Sequence, residues 1–242
     1  MTIGFEPEWP TPPNIKSFIT VRGEGNGRYG EFNLATHVDD EMDRVAANRR
    51  RLNQTLDLGY EPYWLKQVHG DRVAIVDTES TPTADGSYCD KPGPACVVLT
   101  ADCLPILLCD RQGREVAALH GGWRGLAGGI IAAGMTRFKA KPEEMLAFLG
   151  PAIGPTNYEV DQTVVDAFGH LGMAFDKFAT ANPAKSGHYF LDLYAIARLQ
   201  LQKLKVTAIF GGDFCTFQQE RQFYSYRREG QCGRMASLIW IS

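Results

Sequence analysis

The chain lacks every short-range metal or redox signature. None of its six cysteines (89, 96, 103, 109, 215 and 232) forms a CxxC pair, and its five histidines offer neither HExxH nor C2H2 spacing. Zinc fingers, HExxH metalloproteases and CxxC redox centres drop out accordingly. A long apolar run is missing too. The longest, Ala95 to Cys109, is 15 residues, is broken by Asp102 and Pro105, and falls short of the ~20 residues a bilayer-spanning helix needs; no membrane association is expected. The opening MTIGFEPEWPTPPN carries two acids and four prolines where a secretory signal needs a basic start and an apolar stretch, so no targeting peptide is read there. In a long chain without a signal the cysteines read as free thiols or metal ligands in a reducing, cytoplasmic compartment, not as a disulfide framework. Excess charge of either sign is absent: 25 Lys+Arg against 28 Asp+Glu leaves −3, which provides no broad electrostatic surface for nucleic acid. No period of 20 to 50 residues recurs, which removes solenoids and propellers.

What remains is ordinary globular usage, 44% apolar and 22% charged over 242 residues, ample for a hydrophobic core. One domain, 1–242, is the simplest organisation. Short β-rich runs at 17–22, 64–69, 72–77, 95–100, 106–109 and 115–120 are separated by Gly, Pro and Asp clusters. Helical spacing is read at 43–58, 125–138, 161–168 and 192–204, where Leu193, Ile196, Ala197, Leu201 and Leu204 share one face. Strands return at 206–210, 223–227 and 236–241. Helices interleaved this irregularly favour an α+β fold, a mixed sheet sandwich flanked by helices, over a doubly wound parallel sheet.

Two histidines stand out because each ends a predicted strand just before glycine: His69 in QVHGD and His120 in ALHGGW. Strand ends that run into glycine commonly line sites. Between them lies Cys103 in LTADCLPILLCD, a thiol after a buried apolar run and beside Asp102. Three soft or borderline ligands on three strand ends suit one zinc with its fourth position open. The same residues equally suit a thiol hydrolase, with Cys103 as nucleophile and His69 or His120 as its base. Spacing does not separate the two, nor either of them from a buried thiol among hydrogen-bonded turn histidines. Cys109, six residues after Cys103, reads as packing, as do the other four cysteines.

Gly25 to Gly30 matches GxGxxG, but the sequence runs on into EFNLATHVDD with no helical period, so no helix amino terminus is present to receive a pyrophosphate. It reads as a glycine-rich loop whose neighbours Arg22 and Asn33 face a ligand. Arg49, Arg50 and Arg51 sit on a predicted helix; such a run is mostly a solvated face, with room for one anion ligand. The turn His120-Gly-Gly-Trp-Arg-Gly opens another helix, where backbone amides and Arg124 suit an anionic group and Trp123 stacks or packs. His170 and His188 read as surface residues.

The segments WLKQVHGD, TADGSY, TADCLPILLCD, AALHGGWRGLAGGI, FLGPAIGPTNYEV and YSYRREGQCGRMASLIW resemble the YfiH-type laccase-domain family, in order and over nearly the whole chain. The resemblance implies a single α+β domain binding one zinc through His69, Cys103 and His120. The family's older name implies a multicopper polyphenol oxidase. A blue multicopper centre needs about ten histidines besides its cysteine, and this chain has five, so a four-copper laccase is excluded; copper at the His, Cys, His site would leave only weak phenol oxidation. The resemblance further implies phosphorolysis of adenosine, inosine, guanosine and methylthioadenosine, with adenosine deamination. It also implies, for some bacterial relatives, peptidoglycan editing, for which the substrate is a UDP-linked precursor. By the same resemblance His37 joins a polar pocket, and Arg49, paired with Asn48, is the phosphate ligand, with Arg22, Asn33 and Arg124 as further substrate contacts. The deaminase signature HxE with PCxxC is absent, so deamination would run on a different constellation.

Overall fold

The architecture is that of a computed structural model describing residues 2–25, 27–172 and 174–242. The first half supplies β1 (Gly4–Phe5), β2 (Ile15–Thr20), α1 (Met42–Thr55), β3 (Val73–Ile75), β4 (Gly86–Cys89), β5 (Cys96–Thr100), β6 (Leu104–Asp110) and β7 (Val116–Gly121). There follow α2 (Trp123–Gly128), α3 (Ile130–Met135), β8 (Met145–Leu149), β9 (Glu159–Asp161), α4 (Gln162–Asp166), β10 (Ala179–Ala181) and β11 (His188–Leu191). The chain closes with α5 (Leu193–Lys203), β12 (Ala208–Gly211), α6 (Tyr226–Glu229) and β13 (Met235–Ile241).

A six-stranded mixed sheet, β12-β8-β6-β7-β4-β3, packs on a four-stranded antiparallel one, β1-β2-β13-β5; β10-β11-β9 form a small third sheet. Strand parity assigns the layers. On β6, Leu107 and Cys109 face the smaller sheet, where they meet Ile19, Val98 and Ile239, while Ile106 and Leu108 face α3 and α5 through Ile130, Ile131 and Ile196. Every residue of β6 is buried, which is why LPILLCD reads as a continuous apolar run and not as an alternating one. The outer face of the smaller sheet is covered by α1 and the preceding loop through Phe32, Leu34 and Leu52. The result is the α+β sandwich flanked by helices that the sequence implies.

Three segments differ from expectation. The run 64–69 forms no strand: it makes one isolated bridge, Lys66 to Thr83, and ends with His69 in the left-handed region at φ 62°. The predicted helix 125–138 is two short ones, because Gly129 at φ 97° closes α2 and opens α3. The run 223–227 is not a strand; Ser225 caps the single helical turn α6 by accepting from Arg228 N. β1, β4 and β8 to β11 went unread; in β4, Gly-Ser-Tyr-Cys has a weak strand signal. Tertiary fit decides there: a Cβ on Gly86 would lie 2.7 Å from Leu119 Cδ2 and 3.2 Å from both Ala118 O and Val73 Cγ2.

Candidate metal centre and its cavity

The antiparallel register of β6 and β7 pairs Leu104 with Gly121 and Pro105 with His120. Cys103, one residue before β6, therefore arrives beside His120. The turn after the Lys66 bridge brings His69 over both. The ligand atoms of His69, Cys103 and His120 lie within 4.8 Å of one another, with Cys103 Sγ 3.8 Å from His69 Nε2. Tetrahedral ligands with bonds of about 2.0–2.3 Å stand roughly 3.5 Å apart, so the group closes on an ion with small side-chain movements. Gly122 makes the room: a Cβ there would sit 2.9 Å from His69 Cδ2 and 3.2 Å from Cys103 Sγ. A thiolate and two imidazoles are the donor set that zinc or copper takes, and among the described residues this is the one such group.

The residue that sequence reasoning missed is Asp85, of the quoted TADGSY segment. Its carboxylate is fully buried. Oδ1 accepts from His69 N at 2.8 Å and stands 2.8 Å from His120 Nδ1, while Oδ2 accepts from Val68 N at 3.1 Å and Gly70 N at 2.8 Å. Burial alone would push this carboxyl up; the bonds from His120, Gly70 and Val68 hold it below the usual carboxylate range instead. His120 thus points Nε2 at Cys103. Burial works against both charged forms of this pair and loses: the His120 charge and hydrogen bond, with those of His69, bring the Cys103 thiol down to about 6. The Cys103 thiolate and Asp85 push His120 up to about 9. Without an ion the pair is a thiolate and an imidazolium, the thiolate being the form that ligates a metal.

A cavity of about 500 Å³ opens over this group, lined also by His37, Gln67, Trp123, Arg124, Tyr158, Tyr226, Arg227 and Arg234. Its one lining carboxylate, Asp102, is committed: Oδ1 accepts from Thr216 Oγ1 at 2.6 Å and Oδ2 from Arg227 N at 2.7 Å. The lining is therefore cationic and aromatic. Burial and the charges of Arg234 and Arg49 hold His37 below the usual imidazole range, so it stays neutral in a positive field. Arg227, Arg234, Tyr158 and Tyr226 come from segments whose spacing carries no signal, and only the fold turns them inward.

The expected substrate contacts part company here. His37 and Arg124 line the cavity, Arg124 stacked on Trp123 at 4.3 Å. Asn33 is buried behind it, its Oδ1 accepting from Arg234 N at 3.0 Å. Arg49 stacks on the Trp64 ring at 3.8 Å with Nε donating to Leu34 O at 3.0 Å. Arg22 lines a different cavity, ion-paired to Glu229 at 2.6 Å and donating to Glu220 O and Gly27 O; its guanidinium ties two loops together. Cys109 is buried in the core between the two sheets, where burial pushes its thiol up to about 12.

Comparison with known proteins identifies the family. The family described as "Multi-copper polyphenol oxidoreductase laccase" matches residues 16–242. A purine nucleoside phosphorylase of Pseudomonas aeruginosa is 43% identical over 245 residues, covering 100% of this chain and 99% of that one. The purine nucleoside phosphorylase YfiH of Escherichia coli K12 is 44% identical over 240 residues, covering 97% of each. Among solved structures, a Neisseria meningitidis protein superposes with a TM-score of 0.93 at 44% identity over 100% of both chains. The Bacillus licheniformis YfiH protein does so with 0.87 at 28% over 94% of this chain and 93% of that one. No helix among the described residues is long and apolar enough to cross a membrane. Matched over nearly its whole length in sequence and in fold, the chain belongs to the YfiH-type laccase-domain family.

Proposed function

We propose that the chain is a zinc-dependent purine nucleoside phosphorylase acting on adenosine, inosine, guanosine and methylthioadenosine, with adenosine deamination at the same site. The observation that carries this reading is the convergence in one cavity of His69, Cys103 and His120 with three arginines and three aromatic rings. Phosphorolysis needs an anion held beneath the ribose C1′ and a purine held flat. Arg124, Arg227 and Arg234 supply cations with fork geometry for phosphate, and Trp123, Tyr158 and Tyr226 supply faces for the base. Arg49 adds charge from behind His37, and Asn33 orients Arg234. The two relatives at 43% and 44% identity, each matched over at least 97% of its length, carry the phosphorylase name.

In phosphorolysis a phosphate oxygen bonds to C1′ as the bond from C1′ to the purine nitrogen breaks. The bond's electron pair passes to the base, which takes up a proton. Asp102 is no donor, since both its oxygens already accept; the hydroxyl of whichever of Tyr158 and Tyr226 does not stack on the base is a protic group in the cavity, as are the lining arginines. In deamination, water adds at purine C6 and ammonia departs. His69, Cys103 and His120 are the residues that would hold zinc, and the ion would supply Lewis acidity to this cavity.

A second reading is favoured by the contact of Cys103 Sγ with His69 Nε2 at 3.8 Å. A thiol brought down to about 6 beside His120 has the chemistry of a nucleophile with its base, which suits hydrolysis of a UDP-linked peptidoglycan precursor. The test is elemental analysis of the purified protein, with phosphate-dependent release of hypoxanthine from inosine in the same sample. One zinc per chain with release supports the proposal. Copper with phenol oxidation and no release overturns it, and zinc-free protein that hydrolyses the precursor moves the reading to the thiol enzyme.

A further inference from the structure

Apart from Cys103 itself, Asp85 bonds to both histidines of the candidate centre, and its geometry is restrictive. An ionised carboxylate accepts at about four lone-pair positions. Here four donors fill them: the backbone N–H groups of Val68, His69 and Gly70, and the imidazole Nδ1 of His120. The first three fix the turn that carries His69, whose left-handed φ of 62° is a conformation a non-glycine residue keeps only when its surroundings hold it. The fourth fixes the tautomer and plane of His120. Asp85 N in turn donates to Arg72 O at 2.9 Å, and its carbonyl accepts from His120 N at 2.7 Å, so backbone and side chain of one residue locate both ligands.

We infer that Asp85 is a positioning residue that presets the metal site: one carboxylate sets the spacing of two ligands from distant parts of the chain, so that the site is assembled before the ion arrives. The inference rests on the metal half of the proposed function and is independent of the nucleoside half. Asparagine is a sharp probe of it. Its volume matches, but one of its two polar ends is an NH2 donor. Whichever way the amide turns, two of the four incoming N–H groups then meet a donor.

The experiment is zinc affinity by chelator competition for wild type, Asp85→Asn and Asp110→Asn, with folding checked by circular dichroism. Asp110 is the matched control, a buried carboxylate at the other end of β6 that accepts from Arg114 N at 2.6 Å and Glu115 N at 2.9 Å. Asp85→Asn is expected to weaken zinc by roughly 10–100-fold, the usual cost of losing a ligand's hydrogen-bond partner, while Asp110→Asn leaves it unchanged. Equal zinc affinity in wild type and Asp85→Asn overturns the inference while leaving the metal reading intact; a wild type that binds no zinc overturns both. Should Asp85→Asn fail to fold, zinc-loaded wild type decides by nitrogen NMR. A downfield, slowly exchanging Nδ1 proton on His120 is expected, and an imidazole protonated at Nε2 overturns the inference.

Discussion

The two ends of the β6–β7 hairpin carry almost the same chemistry and do opposite things with it. Each has a cysteine next to an aspartate, Asp102-Cys103 just before β6 and Cys109-Asp110 at its end, and a buried carboxylate that accepts from backbone N–H groups. At the turn end Asp110 closes the loop 111–115, and Cys109 faces the core between the sheets with its thiol up at about 12. At the open end Asp85 holds His120 and the His69 turn, and the Cys103 thiol is down at about 6. Both thiols are penalised by burial, which raises a cysteine. What differs is the company: two imidazoles at one end and aliphatic side chains at the other. Residue type near a strand end therefore says little about reactivity, whereas the side to which the strand turns its thiol says much.

Substitutions at each end and a titration would break that comparison if it were wrong. The largest effect is expected from Cys103→Ala, which should remove the metal and lower phosphorolysis by at least about 10³-fold. Cys109→Ala should leave both intact and cost about 1–2 kcal/mol of stability through lost packing, read by urea denaturation. Next comes Gly122→Ala, whose Cβ would lie 2.9 Å from His69 Cδ2 and 3.2 Å from Cys103 Sγ. It should weaken metal binding roughly tenfold or more. At the turn end Gly113→Ala, at φ 69°, should cost about 1–3 kcal/mol of stability with metal affinity unchanged. Arg124→Gln should raise the phosphate KM about tenfold with kcat nearly constant, as for loss of an exposed charge that binds ground and transition states alike.

The smallest effect is in pH dependence. In metal-free protein the Cys103 thiol lies near 6 and the His120 imidazole near 9. A depressed acid contributes its stability fully above its unfolded value and loses it as pH falls through the folded one; a raised base contributes fully below its unfolded value and loses it as pH rises through the folded one. Between about 6 and about 9 the two contributions run in opposite directions, the thiol's growing and the imidazole's fading, so their sum changes little. A Tm nearly flat across that span in chelator-treated protein, falling with pH in Cys103→Ala where Asp85 alone raises His120, is the expected result. Alkylation of Cys103 should reach half its limiting rate near pH 6, with Cys109 unreactive until unfolding. A pH-independent Cys103 would remove the distinction between the two ends.

Much of this was readable without coordinates. Apolar periodicity located α1, α5 and the strands from 95 to 120, and strand ends followed by glycine pointed to His69 and His120 before any geometry was available. The failures have specific physical causes. The run 64–69 has strand composition, yet hydrogen bonds to Asp85 turn its end into the left-handed region. β4 has poor strand residues and exists because small side chains fit against Leu119 and Val73. Asp85 carried no signal, since an aspartate before glycine is usually a turn residue. Arg22, expected at a ligand because it stands just before a glycine-rich motif, is an ion-pair partner at 2.6 Å from Glu229.

The sequence by itself determined the layer architecture and the ligand types, because hydrophobic period and residue chemistry are local properties of the chain. It also excluded a four-copper centre by simple scarcity of histidine. Only the tertiary structure decided that residues 69, 85, 103 and 120 share one point and that Arg227 and Arg234 turn toward it. Such convergence depends on register, Pro105 opposite His120 and Leu104 opposite Gly121, and register is fixed by long-range packing across the sandwich, which no local pattern encodes.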